Sequence, residues 1–317
     1  MKVVSIVVPA FDEAGSLPEL HQRLTRMAER EAAYRFEILF VDDGSSDDTI
    51  DVLRALRGGD PRVRFVSLSR NFGHQAALSA GLDRATGDAV VFLDADLQHP
   101  PEVISELLRR WEQGDQIVNT VRRDSTHVSF VKRATRRGFY RLVNAIANVR
   151  VQPNSADFRL LDRQAADGLR RIRERARFVR GLIYWIGFRQ SVVLYDEDPR
   201  FAGRPKYSLR KSFQLAFDGI FSFSTVPLHF ATLTGAVVTL GAFLYAGYSA
   251  YMKVVAKTAV QGWTSLIFVV LILGGVELMT LGILGSYIAR IYDEVRERPL
   301  YLVKDASEVT EASSEET

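Results

Sequence analysis

The sequence has no cysteine among its 317 residues and only a small excess of positive charge, +3 from 41 basic and 38 acidic side chains. The absence of cysteine excludes thiol catalysis, iron–sulfur clusters, disulfide staples and cysteine zinc sites. The mild charge, with an isoelectric point of about 9.1, does not indicate nucleic-acid binding. A signal peptide is not predicted either, because the apolar run that begins at Val3 ends at Pro9, too early for the core of such a peptide.

The sequence is rich both in hydrophobic and in charged residues. Hydrophobic residues make up 47% and charged residues 25% of the chain, and the mean hydropathy is −0.01. These values exclude a disordered chain and indicate a charged globular part that is joined to a strongly apolar part. A chain of this length predicts about two domains, or one domain with an appendage.

The first 124 residues alternate between strand and helix patterns. Apolar runs predict strands over 3–8, 37–42, 63–67 and 89–93, and the segments between and after them predict helices over 17–31, 49–57, 75–85 and 101–113. The strands are continuously apolar, which is typical of a parallel sheet covered by helices on both faces. The pattern therefore predicts a doubly wound, Rossmann-like α/β domain.

Residues 127–215 differ from this pattern, because basic side chains cluster in the three stretches 132–141, 170–180 and 200–211. The first and third combine basic with aromatic side chains ahead of an apolar segment, which is typical of helices that lie in an anionic membrane surface. The alternative is an ordinary solvated helix face, and this alternative carries more weight for the second stretch.

Two apolar segments, 226–251 and 263–289, each exceed the about 20 residues that a membrane-spanning helix needs. The alternative is a helical hairpin buried in a large soluble core, but such helices carry polar stripes that these segments lack. The connection between them holds only two lysines, whereas several basic residues flank the hairpin on its other side, so the positive charge places both chain ends in the cytoplasm. The acidic tail beyond Lys304 is predicted to be disordered.

Acidic side chains follow three of the predicted strands. Asp94 and Asp96 close the fourth strand, Glu13 follows the first strand and Asp42 ends the second. The carboxyl ends of parallel strands form one edge of a sheet, and ligands bind there. Two carboxylates one residue apart can share a divalent cation with a diphosphate, although a pair that caps the next helix is the simpler alternative. The acidic side chains of the other two strands suit a base and ribose hydroxyls.

In this order, the motifs resemble those of the family-2 glycosyltransferases of the GT-A fold. They are Pro9-Ala10-Phe11-Asp12-Glu13, Val41-Asp42-Asp43-Gly44-Ser45, Ser69-Arg70-Asn71-Phe72-Gly73-His74-Gln75 and Asp94-Ala95-Asp96-Leu97-Gln98. Asn154-Ser155-Ala156-Asp157-Phe158-Arg159 and the basic stretch 200–211 narrow the resemblance to polyprenyl-phosphate glycosyltransferases, a group that includes the dolichyl-phosphate mannose synthases. The tail Gly285-Ser286-Tyr287-Ile288-Ala289-Arg290-Ile291-Tyr292 is most similar to that of the bacterial undecaprenyl-phosphate glucosyltransferases.

The resemblance, over about residues 3–302, implies a specific reaction. A hexose, glucose from UDP-glucose, would pass with inversion onto undecaprenyl phosphate in the inner membrane, from a cytoplasmic catalytic domain of a multi-pass homo-oligomer, with a tetramer favoured. The same reaction with GDP-mannose or UDP-aminoarabinose stays open, as does a non-catalytic nucleotide-sugar sensor. A processive polysaccharide synthase is disfavoured, because the chain lacks a channel of several helices and a Gln-x-x-Arg-Trp motif.

The resemblance also implies roles for individual residues. Pro9, Glu13 and Asp42 would contact the nucleoside, Asp94 the ribose or diphosphate, and Asp96 with Gln98 would hold Mg²⁺ or Mn²⁺. Asp157 falls where the family places its proposed catalytic base, and Arg122, Arg136, Arg200, Arg204 and Lys206 fall in stretches that grip the lipid phosphate. A phosphate monoester is mostly dianionic near pH 7, so we expect Asp157 to orient the phosphate-binding groups instead of removing a proton.

The chain departs from the family pattern at two positions in the apolar part. Ser286 stands where the tail usually has glutamate, and Glu277 stands where the central polar residue of the last helix is often glutamine. Both departures bear on assembly and not on chemistry. The predicted division is a nucleotide-sugar-binding GT-A core over 1–125, an acceptor-binding part with interfacial helices over 126–225, two transmembrane helices over 226–289 and a cytoplasmic tail over 290–317.

Overall fold

The computed structural model describes residues 1–123, 155–175, 177, 179–198, 224–255 and 262–307. These residues belong to two compact units. The first contains the described residues up to 198 together with those from 298 onward, and the second contains the described residues between 224 and 297. The first unit is an α/β domain and the second is a helical hairpin.

The strands and helices of the first unit alternate along the chain. They are β1 (Lys2–Ala10), α1 (Leu17–Arg30), β2 (Tyr34–Asp42), α2 (Thr49–Gly59), β3 (Val63–Leu68), α3 (His74–Arg84), β4 (Ala89–Phe92), a 3₁₀ turn (Pro101–Val103), α4 (Ile104–Glu112), β5 (Ile117–Arg122), β6 (Ser155–Asp162), α5 (Arg163–Arg171), α6 (Val179–Trp185), β7 (Gln190–Tyr195) and β8 (Val303–Ala306). The strands and helices that the sequence predicts up to residue 113 are confirmed, with ends that differ by three residues or fewer.

The strands form one mixed sheet in the order β7-β5-β6-β4-β1-β2-β3-β8. Strands β1 to β4 pair in parallel with one another, as the apolar runs predict. The sheet is not parallel throughout, because β6 runs antiparallel to both β4 and β5, and β8 runs antiparallel to β3. The expectation of a parallel sheet therefore holds for β1 to β4 and for the pair of β5 with β7, whereas β6 and β8 run in the opposite direction.

Helix packing against the central strands builds the core. Helix α1 buries Leu17, Leu20, Leu24 and Met27, whose three- and four-residue spacing puts them on one helix face. Each such buried side chain contributes about 1.5–3 kcal/mol. Helix α3 lies so close to β1 that a Cβ atom on Gly81 would be 2.2 Å from the side chain of Val7. This close approach fixes the position of α3, whose first residue belongs to the site described below.

The C-terminal segment adds a strand to the open edge of β3. The Ser307 N–H donates to the Phe65 carbonyl at 3.0 Å, and Arg54 bonds to Asp305 at 2.8 Å. The prediction that the chain is disordered beyond Lys304 is therefore wrong for the three residues after it. Pairing with β3 satisfies the backbone groups of a segment whose own sequence has little strand preference. Residues 308–317 lie outside the described residues.

The second unit consists, in its described part, of α7 (Val226–Val254) and α8 (Trp263–Val295). Each helix contains a 24-residue segment of mean hydropathy 1.6, and only 6% and 0% of the apolar windows are buried. By length and composition both helices are able to cross a membrane. Helices of a hairpin buried in a soluble core would instead have most of these side chains covered.

Candidate active site

Strand direction brings those predicted site residues that the structure describes to one edge of the sheet, which we call the carboxyl edge. Strands β1 to β5 and β7 all end there, whereas β6 runs the other way and begins there. Phe92 of β4 pairs with Arg159 of β6. Asp157 comes two residues before Arg159, and Asp94 comes two residues after Phe92. The antiparallel pairing therefore puts both aspartates on the same side of this pair, although 62 residues separate them in the sequence.

Hydrogen bonds join the loops that follow β1 and β2. Asp12 donates its N–H to Ser45 Oγ at 3.0 Å and accepts the N–H of Ser46 at 2.8 Å. Glu13 donates its N–H to Thr49 Oγ1 at 3.0 Å. Asp12 has a φ of 52°, in the left-handed region that non-glycine residues seldom adopt. These bonds hold the strained loop in place and put Glu13 at the carboxyl edge, where the sequence predicts it.

Asp42 lies at the carboxyl edge but is only 2% exposed. Its Oδ2 accepts the Ser67 hydroxyl at 2.7 Å and its Oδ1 accepts the Ser45 N–H at 2.9 Å. Pro9 is buried in β1, paired with Val41 of β2. Both residues therefore shape the floor of the two loops, and their contact with a nucleoside stays a prediction.

Asp43 and Gly44 fix the loop that leads into α3. The two carboxylate oxygens of Asp43 accept the N–H groups of Phe72 and Gly73 at 2.8 and 2.9 Å, and burial raises the pKa of this carboxyl. Gly44 has a φ of 69°, and a Cβ atom there would lie 2.4 Å from the Arg70 carbonyl carbon. Only glycine permits this close backbone approach.

Asp94 lies between two histidines. Its Oδ2 is 3.0 Å from His99 Nε2, and its Oδ1 is 3.5 Å from His74 Nε2. The same nitrogen of His74 is 3.5 Å from Asp157 Oδ2, so His74 bridges the two carboxylates. Burial lowers the pKa of His74, but the two carboxylates outweigh burial and raise the pKa to about 9. Burial likewise opposes ionisation of Asp94, whereas His74 and His99 hold its pKa below the usual value.

Asp157 is buried and ion-paired. Arg180 Nε and Nη2 bond to its two oxygens at 2.7 and 2.9 Å, a bidentate pair. Burial opposes ionisation, yet Arg180 and His74 hold the pKa of Asp157 well below its usual value. Arg159 is fully buried beside it and donates to the Ala156 carbonyl at 2.6 Å and to Asn119 Oδ1 at 3.2 Å. Burial lowers the pKa of Arg159 to about 10, so the guanidinium stays charged at neutral pH.

The loop after Asp94 carries the predicted metal ligands. Asp96 Oδ1 accepts the N–H of Gln98 at 3.1 Å, and Leu97 between them has a φ of 61°, which folds the loop back on itself. Among the described residues, no three histidine or acidic side chains are grouped as a metal cage. This donor set fits an ion that binds one or two carboxylates and completes its coordination with substrate phosphates and water, as Mg²⁺ does.

Arg122 ends β5 at the carboxyl edge. Its Nη1 is 2.9 Å from Glu197 Oε1, and its Nε donates to the Tyr195 hydroxyl at 3.2 Å. The structure therefore brings one of the predicted phosphate-binding arginines to the same edge as Asp94. The other members of that predicted set lie outside the described residues: Arg136, Arg200, Arg204 and Lys206.

The second basic stretch is part of the α/β domain. Arg170 donates to the Leu82 carbonyl at 2.8 Å, Arg173 bonds to Asp83 at 2.8 Å, and Arg180 binds Asp157. These arginines tie α5 and α6 to α3 and β6. The solvated-face alternative fails for Arg170 and Arg180, whose side chains are 16% and 30% exposed, whereas Arg173 is ion-paired but 54% exposed and agrees with that alternative. The acceptors of the domain that hold all three guanidinium groups argue against the membrane-surface interpretation.

Four residues that sequence reasoning did not assign to the site lie in it: His74, His99, Tyr195 and Arg180. His74 belongs to a motif that carries the family resemblance, and His99 directly follows Gln98, so both were within reach of the sequence. Tyr195 and Arg180 carry no such signal, since only the pairing of β5, β6 and β7 brings them to Asp94 and Asp157.

The arrangement combines an acidic side that suits a metal and a nucleotide with a basic side that suits an anion. Asp94, Asp96 and Gln98 supply oxygen donors. Arg122, Arg180 and His74 supply cations around them. A site of this kind can bring a metal-bound diphosphate close to a second anionic group.

Comparison with known proteins shows the family to which the chain belongs. Residues 5–170 match the family described as Glycosyl transferase family 2. The chain is 43% identical over 300 residues to the uncharacterized glycosyltransferase YkcC of Bacillus subtilis, covering 95% of this chain and 93% of that protein. It is 40% identical over 301 residues to the prophage bactoprenol glucosyl transferase homolog of Escherichia coli, covering 95% and 98%.

Among solved structures, mannosyl-3-phosphoglycerate synthase from Rubrobacter xylanophilus is similar, with a TM-score of 0.48 and 19% identity over 68% of this chain and 71% of that one. The family match spans more than half of the chain, and the full-length relatives exceed 30% identity. The chain therefore belongs to glycosyltransferase family 2, and the protein is a glycosyltransferase of the GT-A fold.

Proposed function

We propose that the protein transfers a hexose, glucose from UDP-glucose, onto undecaprenyl phosphate with inversion at the anomeric carbon. The observation that carries the proposal is the single site at the carboxyl edge, where Asp94 meets Asp157 through His74. Full-length similarity to the bactoprenol glucosyl transferase homolog of Escherichia coli supports the lipid acceptor and the sugar. The protein thus joins two phosphorylated substrates, one soluble and one membrane-bound.

The chemistry follows from the charges of the site. A phosphate oxygen of the acceptor forms the bond to the anomeric carbon as the bond from that carbon to the diphosphate oxygen breaks. The departing nucleoside diphosphate gains negative charge in this step, and Asp96 with Gln98 would hold the Mg²⁺ or Mn²⁺ that neutralises it. Pro9, Glu13 and Asp42 line the nucleoside end, and Asp94 faces the ribose or diphosphate.

The acceptor phosphate would bind on the basic side of the site. Arg122 lies at the carboxyl edge and belongs to this clamp, together with Arg136, Arg200, Arg204 and Lys206 from the sequence. Guanidinium groups bind phosphate oxygens in pairs. We assign Asp157 to holding Arg180 in place, because its carboxylate is already committed to that bidentate ion pair.

The second unit would anchor the enzyme beside its lipid substrate. Helices α7 and α8 have the length and hydropathy of membrane spans, and the basic residues that flank them favour a cytoplasmic catalytic domain in the inner membrane. Glu277 is exposed on α8, where a charged group at mid-membrane costs about 2.5–3.5 kcal/mol. This cost favours a homo-oligomer, a tetramer in our proposal, in which a neighbouring subunit covers Glu277.

Two measurements test the proposal. Purified enzyme is given UDP-glucose, GDP-mannose or UDP-aminoarabinose with a short-chain polyprenyl phosphate, and the lipid product is identified by mass and by the configuration of its anomeric carbon. A β-linked glucosyl product, formed from the α-linked donor, is expected. Products from another donor alone would correct the sugar, and nucleotide binding without any product would favour the non-catalytic sensor. For assembly, Glu277→Gln is expected to keep the oligomer in detergent and Glu277→Leu to weaken it.

A further inference from the structure

A chain of three hydrogen bonds connects the two sides of the site. Arg122 Nε donates to the Tyr195 hydroxyl at 3.2 Å, the hydroxyl lies 2.7 Å from His99 Nδ1, and His99 Nε2 lies 3.0 Å from Asp94 Oδ2. The four residues come from the end of β5, the end of β7 and the loop after β4. The proposed function assigns roles to Arg122 and Asp94, at the two ends of the chain, but none to Tyr195 and His99 between them.

The two middle residues are buried and held by aromatic packing. His99 is 1% and Tyr195 3% exposed. Their ring centroids are 5.6 Å apart at 64°, and Phe158 packs against both rings at 5.6 and 6.0 Å. Neither ring can rotate without opening the core. The position of the Tyr195 hydroxyl and of both His99 nitrogens is therefore set by the fold.

The direction of the two outer hydrogen bonds follows from the groups at the ends of the chain. Arg122 Nε can only donate, so the Tyr195 oxygen accepts there. The Asp94 carboxylate can only accept, so His99 Nε2 carries a hydrogen and donates it to Asp94. The middle bond joins the Tyr195 hydroxyl to His99 Nδ1 at 2.7 Å. Burial raises the pKa of Tyr195 to about 12, which keeps the hydroxyl hydrogen in place at neutral pH.

We infer that His99 and Tyr195 are positioning residues that hold Arg122 at a fixed distance from Asp94, and with it the acceptor phosphate at a fixed distance from the sugar nucleotide. The inference rests on the proposed function for the roles of Arg122 and Asp94. Glu197 steadies the same guanidinium from its exposed side at 2.9 Å. A reaction between two separately bound substrates is sensitive to such spacing, because a small misplacement removes the alignment of the reacting atoms.

The test removes one oxygen atom. Tyr195→Phe keeps the ring and its packing but removes the hydroxyl, and with it the bonds to Arg122 and to His99. The acceptor KM is expected to rise about three- to tenfold, the effect of losing the one hydrogen bond that positions Arg122, while the affinity for UDP by calorimetry stays within about twofold. In an Arg122→Lys background, which has no Nε donor in that place, Tyr195→Phe is expected to add little further effect. Tyr34→Phe is the matched control, because the Tyr34 hydroxyl bonds to Glu112 at 3.1 Å, away from the site.

The outcomes distinguish a failure of the positioning role of His99 and Tyr195 from a failure of the proposed function. The positioning role is overturned, while the wild type still turns over, by any of three results. These are an unchanged acceptor KM in Tyr195→Phe, an effect equal to that of Tyr34→Phe, or equal losses in UDP and acceptor binding. Full additivity with Arg122→Lys would overturn it too, because the tyrosine would then act through another group. A wild type that transfers no sugar to polyprenyl phosphate overturns the proposed function itself.

Discussion

Replacing Asp157 by asparagine distinguishes a positioning carboxylate from a catalytic base. The side chain is 9% exposed and holds Arg180 through two bonds of 2.7 and 2.9 Å. Asparagine keeps the size and one acceptor oxygen but carries no charge. The Arg180 guanidinium would then keep at most one of its two bonds to residue 157 and would lose the negative charge of this carboxylate.

The expected loss follows from these two bonds. A hydrogen bond between charged groups contributes about 1.5–3 kcal/mol, so the pair contributes about 3–6 kcal/mol. If both bonds are lost and their energy orients Arg180 for the transition state, turnover falls at least about 100-fold; if asparagine keeps one bond, it falls at least about tenfold. Arg180→Gln is expected to fall by a similar factor, and the double variant by little more, because both changes break the same pair. Asp51→Asn, on the exposed face of α2, is the control and should keep wild-type turnover.

The pH dependence separates the two roles. A general base removes a proton from the acceptor, and a base with a pKa well below 3.8 is a weak one at neutral pH. The acceptor phosphate loses its second proton at about pH 6, and clamp arginines lower that value further. There is then no proton to remove near pH 7, so the defect of Asp157→Asn is expected to be constant from about pH 6 to 8.5.

The assay is a pH–rate profile of both enzymes at saturating donor with a short-chain polyprenyl phosphate. In the wild type the pKa of His74 is about 9, and Asp157→Asn removes one of the two carboxylates that raise it. Loss of the His74 proton in the variant would make the defect grow with pH, whereas loss of a base makes it shrink, so the two causes have opposite signs. If the two rates converge as the pH rises, the acceptor ionises unaided once the base is gone, and the positioning role of Asp157 is refuted.

Three further predictions concern the metal, the bridging histidine and one loop. Asp96→Asn should abolish turnover and weaken sugar-nucleotide binding, since the diphosphate then meets carboxylates without a cation; chelator should inhibit the wild type, and activity that persists in excess chelator would exclude the metal. Because burial lowers but two carboxylates raise the pKa of His74 from 6.5 to about 9, its stabilising effect is complete below pH 6.5 and is lost as the pH rises through about 9. The urea midpoint of the wild type should therefore fall more over that range than the midpoint of His74→Asn, and parallel curves would contradict the ion pairs. Gly44→Ala should cost about 2–4 kcal/mol in denaturant unfolding, because the new Cβ would lie 2.4 Å from the Arg70 backbone at a φ of 69°. Gly58→Ala, with no atom within 4 Å of the new Cβ, should be neutral or stabilising, and equal costs for the two would show that the Gly44 loop adapts.

The sequence was sufficient to predict the central strands, because their apolar runs are long and the segments between them have ordinary helix and turn signals. It was not sufficient for β5, β6 and β7, which carry polar residues such as Asn119, Thr120 and Arg159 in buried positions. Those side chains are satisfied by partners far along the chain, for example Thr120 Oγ1 by the Phe158 carbonyl at 2.7 Å. A local pattern of apolar residues cannot reveal such pairs.

The candidate site likewise contains residues whose positions the sequence could predict and residues whose positions it could not. Glu13, Asp42, Asp94 and Asp96 follow strands whose direction the sequence predicts, so their common edge could be predicted too. Arg180 could only be placed once β6 was known to run antiparallel to β4, which puts Asp157 within reach of α6. The strand β8 escaped prediction for a related reason, because its strand form depends on the free edge of β3 and not on its own residues.

The proposed reaction brings two anionic substrates together, and it depends on positive side chains of the site that offset their repulsion. Unit charges about 5 Å apart repel by about 3 kcal/mol at an effective dielectric constant of 20, and a diphosphate facing a phosphate dianion multiplies that figure. Asp94 and Asp157 would add to the repulsion if they stood alone. Instead His74 bridges them and Arg180 pairs with Asp157. The acidic motifs are the most conspicuous part of the sequence, but by this reasoning the positive charges fixed around them make the approach of the acceptor possible.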